Sequence, residues 1–163
     1  MKTAQADVET LIGCLFPKLK KTLKLNQGFE TFGAILDEAG KQKLVSIPDG
    51  DLKKGTDHVI RILEENLARL ASDGKCKAAA IVSDIITIPP GKRKKQDAIS
   101  FALDHRDNYS IIVIFPYSID KSGELKIEEL FAIDGEKKIF PKKIAAGKKL
   151  KSSPKKSSKK PSK

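Results

Sequence analysis

The sequence predicts an α+β fold: an antiparallel sheet of five or six strands covered on one face by an N-terminal helix and one long central helix. Three observations predict it. Residues 78–133 hold successive runs rich in β-branched and aromatic residues, separated by turn-forming residues. Residues 56–72 place Val59, Ile60, Leu63, Leu67 and Leu70 in a single helical stripe. Residues 7–20 repeat that spacing more briefly with Val8, Leu11, Ile12, Leu15 and Leu19.

Taken in chain order, the first helix has Asp7 as its expected cap and Glu9 near its positive end. Pro17 is expected to bend or end it near Leu15 or Phe16, and Lys18, Lys20, Lys21 and Lys24 make its exit basic. Segment 29–47 reads as a hairpin turned at Glu38, Ala39, Gly40 and Lys41, with Gly33 marking a bulge or the close approach of another backbone. Pro48, Gly50 and Gly55 make 48–55 a loop. The central helix is expected to be capped by Thr56 or Asp57 and ended by Asp73 and Gly74. Strands follow at 78–88, 98–105, 110–118 and 125–133. In the last, Ile127, Glu129 and Phe131 share one side and Lys126, Glu128 and Leu130 the other. Neither side is clean, which predicts an edge strand or one with both faces partly covered.

A chain of 163 residues fits one domain with an appended segment: a compact domain over 1–141 and a disordered lysine-rich tail over 142–163. The tail holds ten lysines and no acid, so of the net charge of +11 only +1 belongs to residues 1–141. Its apolar residues are too few to offset the entropy of ordering. No run approaches the roughly 18 apolar residues of a membrane span, and the opening MKTAQADVE lacks a signal-peptide core, so a cytoplasmic location is expected. Cys14 and Cys76 lack CxxC spacing and read as reduced structural thiols.

Within the tail, Ser153, Pro154, Lys155 and Lys156 form an SPKK element that Lys159, Lys160 and Pro161 loosely echo. The tail resembles in composition the lysine-rich terminal arms of linker histones. That likeness implies a lysine chain lying along phosphates without strong sequence preference. The physical reading agrees, because ammonium groups that displace condensed counterions give binding that weakens steeply with salt. The expected contacts are Lys148, Lys149, Lys151, Lys155, Lys156, Lys159, Lys160 and Lys163, and the absence of aromatic residues argues against tight single-strand selectivity. A second basic feature, Lys92, Arg93, Lys94 and Lys95, sits in a strand connection that opens with Pro89, Pro90 and Gly91. It lacks the spacing and setting of a P-loop, so it reads as a phosphate-contacting finger or as a solvated tip that discourages edge pairing. The order helix, hairpin, helix and antiparallel strands over 7–133 is similar in topology to roadblock and profilin-like domains, which implies a dimerising, ligand-sensing or scaffold module.

One cluster has the residue types for chemistry: Asp104, His105, Arg106 and Asp107, with Asp84 across the sheet. An imidazole between carboxylates is a general base in form, and Arg106 would hold an anion. However, His105 continues the period-two row of Ile99, Phe101 and Leu103, which places it in the core. Neither histidine has a ligand-spaced partner, and Ser46, Asp49 and Asp51 do not fit a calcium loop, so no metal or cofactor is expected. The reading is a non-enzymatic binding or assembly module, a homodimer through exposed edges, whose tail contacts nucleic acid or another polyanion. The alternative is a small-ligand sensor or enzyme with a polar cleft near Asp84 and residues 104–107.

Overall fold

A computed structural model describes residues 3–141, so every expectation about the tail lies outside the described residues. The elements are α1 (Ala4–Asn26), β1 (Phe32–Leu36), β2 (Gln42–Val45), α2 (Asp49–Leu52), α3 (Thr56–Ser72), β3 (Ala78–Thr87), β4 (Gln96–His105), β5 (Tyr109–Ile119), β6 (Leu125–Ile127) and β7 (Phe131–Asp134). The fold is α+β, with an antiparallel seven-stranded sheet in the order β2-β1-β3-β4-β5-β6 and β7 also paired to β5.

The two helices lie on opposite faces rather than sharing one. Alternation in the strands dictates this. Ala34, Ala78, Ala80, Val82, Ile99, Phe101 and Leu103 point to α1, where they meet Val8, Leu11, Leu15, Leu19 and Leu23. Ile35, Ala79 and Ile81 point the other way, to Val59, Leu63 and Leu67 of α3. Both faces of the central strands are apolar, so each requires its own cover.

The first helix is longer than its sequence reading. It runs through Pro17, and its cap is Thr3, whose hydroxyl accepts from the Ala6 N–H at 3.1 Å. An interior proline costs about 3 kcal/mol. Continuing the helix buries Leu19 and Leu23, worth roughly 1.5–3 kcal/mol each, and that decides the outcome. Asp7, released from the capping role, is buried. Gly55, without a side-chain bond, caps α3 in place of Thr56 or Asp57, and the expected loop 48–55 contains the single turn of α2.

Gly33 marks no bulge, since pairing continues through it to Val45 on one side and Ile81 on the other. Its missing side chain makes room for α3: a Cβ there would lie 2.9 Å from Leu63 Cδ2. The bulge falls instead in the expected strand 125–133, which divides into β6 and β7. Tyr117 pairs with Ile127, whereas Ile114 pairs with Phe131, so 128–130 oppose only Phe115 and Pro116. Pro116 has no N–H to give, and its carbonyl accepts from Glu128 N–H at 2.8 Å. One extra residue reverses the alternation: Ile127 faces α1 while Phe131 and Ile133 face the other side. This is why neither face of that segment reads cleanly.

After β7, residues 135–140 return across the β4 and β5 surface as a strap, burying Ile139 and Phe140 beside α3. Gly135 allows it to pass, since a Cβ there would clash with Ser110 Oγ and meet Ile111 N at 2.8 Å.

Candidate functional site

The residues singled out by sequence occupy separate positions. Asp104 lies on the α3 face, only 2% exposed, and holds the strap. Its Oδ2 accepts the N–H groups of Ile139 at 2.9 Å and Phe140 at 3.0 Å, while Lys137 donates to Oδ1. His105 lies on the α1 face and is 1% exposed. Its Nδ1 accepts the Asp107 N–H at 3.0 Å, so the proton of the neutral ring is on Nε2 and is donated to Asp7 Oδ2 at 2.8 Å. Lys77 stands 3.3 Å from the other Asp7 oxygen. Burial raises the Asp7 pKa, but hydrogen bonds from His105 and Lys77 outweigh it and hold the carboxyl below its ordinary range.

Arg106 pairs with Glu38 at the surface, and Asp107 is exposed in the β4–β5 turn with Asn108 at φ 64°. Asp84 belongs to another end of the sheet. Its Oδ1 accepts from Tyr117 Oη at 2.7 Å, and its Oδ2 from the Phe29 N–H at 3.4 Å. Burial pushes its pKa up, against the lowering effect of those two donors. Asp84 pairs with Ile99, six positions along β4 from His105, so the two are about 20 Å apart at 3.3 Å per residue. Asp84 and residues 104–107 therefore do not converge on one cleft, and the Asp84 and Asp104 carboxylates each have donors to both oxygens. Among the described residues no group of three or more His, Cys, Asp or Glu is placed to hold a metal ion, and no helix is long and apolar enough to cross a membrane.

The basic residues form two exposed clusters, with Glu30 beside Lys18 and with Glu128 and Glu129 beside Lys92. At the β3–β4 tip, Lys92 N–H closes a turn on Pro89 O at 3.0 Å and Gly91 takes φ 76°. Lys92, Arg93, Lys94 and Lys95 are exposed, and none is within ion-pair distance of an acid among the described residues. Lys18, Lys20, Lys21 and Lys24 are exposed on the second half of α1. That half lies toward the same end of the sheet: Phe16 stacks against Phe101 and Phe115, and Phe29, just after the helix, reaches Asp84. The stretch from Pro17 to Phe29 contains no acid. The sequence marks the α1 lysines only as a basic exit, because their place toward the same end of the sheet as the tip is a consequence of how α1 crosses the sheet.

The described chain ends near the opposite end. Phe140 is fixed to Asp104, eight positions along β4 from Gln96, which places Phe140 about 26 Å from the base of the tip. No protein-family model matches this chain, and neither curated proteins nor solved structures give a match.

Proposed function

We propose that the chain is a binding and assembly module that holds nucleic acid or a related polyanion by its phosphates. The observation carrying this reading is two exposed clusters toward one end of the sheet, Lys18, Lys20, Lys21 and Lys24 on α1 and Lys92, Arg93, Lys94 and Lys95 at the β3–β4 tip, on a chain whose last 22 residues add ten lysines. These exposed cations orient the ligand, and the tail adds affinity by counterion release. The 22-residue tail spans at most about 75 Å when extended, so it reaches a ligand seated on that end.

The test is a series of duplexes from about four to 20 base pairs at fixed salt. Affinity, corrected for site number, that rises further with length in the full chain than in a chain ended after Phe140 supports the reading, because the tail then reaches phosphates beyond the tip. Length-independent binding per phosphate opposes it. The proposal extends to a homodimer through the outer edge of β2, which is unpaired in the described fold and exposes Leu44. A monomeric mass at tens of micromolar by sedimentation removes that part.

A further inference from the structure

We propose that the free edge of β3 over residues 85–87 is a docking edge for an extended acidic peptide segment of another protein, which joins the sheet as an added strand. The sheet order leaves this edge open. β1 begins at Phe32 opposite Val82, so beyond Val82 the strand pairs with β4 alone. Residues 28–31 leave the ladder but stay against Ser83 and Asp84, tied by Phe29 N–H to Asp84 and by Thr31 Oγ1 to Ser83 Oγ at 3.4 Å. Backbone N–H and C=O groups of residues 85–87, about 10 Å of strand, thus lack a strand partner on that side.

The side chains beside the edge are apolar and open. Ile86 is 68% exposed and Ile88 50%, whereas a strand with no partner at this point would favour polar residues. The Asp84 carboxylate is turned to Tyr117 and Phe29 and leaves the edge without an acid of its own, apart from the exposed Asp97 across the hairpin. Immediately beyond Ile88 stand Lys92, Arg93, Lys94 and Lys95, with no acidic partner among the described residues. Backbone groups, two apolar contacts and four adjoining cations match a strand of alternating apolar and acidic residues.

The same features select against other occupants. The lysine-rich tail repels the tip. A second copy laid parallel brings two cationic tips together, and one laid antiparallel drives its tip into residues 28–31, which already fill that side of Ser83 and Asp84. The cations thus guard the edge against copies of this chain while leaving it open to an acidic strand.

The experiment uses the full chain and a labelled octapeptide of alternating Val and Glu, compared with the same peptide N-methylated at alternate amides. The methylated peptide keeps the charge that the tail attracts but cannot pair on its blocked side. Losing two or three hydrogen bonds weakens binding about tenfold or more. The expected results are that loss, weaker binding for the uncharged Ile86→Ser, and slowed amide exchange at residues 85–87 with the unmodified peptide. Equal binding of the two peptides, exchange unchanged at 85–87, or no binding at all overturns the proposal. A duplex that displaces the peptide while exchange at 85–87 is unaffected by the peptide assigns the tip to phosphate and also overturns it. Failure here leaves duplex binding by the full chain, which is measured separately, untouched.

Discussion

Replacing Asp104 with alanine should release the strap without unfolding the sheet. The carboxylate receives two backbone N–H groups and the Lys137 ammonium in a site that is 2% exposed. If the strap stays seated in Asp104→Ala, two buried donors and a largely buried cation lose their partner, which costs about 3–5 kcal/mol. If it leaves, the burial of Ile139 and Phe140 is lost, about 3–6 kcal/mol together. Leaving also returns roughly 1–2 kcal/mol of backbone entropy per freed residue over 135–140. Release is therefore the cheaper route, and 3–5 kcal/mol bounds the loss from above. At about 2–4 °C per kcal/mol for a chain of this size, the melting temperature falls by at most about 20 °C. Limited proteolysis reads the local event directly, because Lys137 and Lys138 become cleavable while sites in β4 and β5 stay protected. A variant that melts within about 1 °C of the parent and resists cleavage at both lysines refutes the reasoning.

Three further outcomes follow from the same packing. Asp7 is held below its ordinary pKa, so its contribution is complete above about pH 4 and is lost as pH falls through the lower folded value; Asp7→Asn should flatten that acid limb in a stability-against-pH series. Asp84 has the opposite sign, its raised pKa making ionisation unfavourable to folding, so protonation on acidification is stabilising; Tyr117→Phe removes a donor to the carboxylate and should raise that pKa further in an NMR titration. Gly135→Ala sets a methyl against the β5 backbone, where little can yield, and should cost about 1–3 kcal/mol in denaturant unfolding, whereas Gly33→Ala meets the movable end of Leu63 and should cost less.

The fold class and the long strands were legible because β3, β4 and β5 carry strong local signals, and the α3 stripe is unambiguous. What sequence left hidden depended on contacts distant along the chain. Pro17 reads as a stop until Leu19 and Leu23 are seen to bury on the sheet. The division at 128–130 reads as a poorly patterned strand until Pro116 is placed opposite it. Asp7 reads as a cap because its partner His105 lies 98 positions away. Alternation correctly buried His105 but could not supply Asp7 and Lys77, nor show that Asp104 and Asp84 point to opposite faces. For the basic residues, their presence is evident in sequence, and the end of the sheet toward which the α1 lysines lie is not.

The most direct measurement of the central claim is duplex DNA binding across a salt series. It compares the full chain, a chain ended after Phe140, and a full chain with Lys92, Arg93, Lys94 and Lys95 changed to serine. The account predicts a steep log–log slope for the full chain. Losing the tip should lower it by about 2–4, at roughly 0.9 per phosphate contact, and losing the tail should lower it by more. Weak binding by the full chain with a slope near zero, or a slope unchanged in both variants, contradicts it.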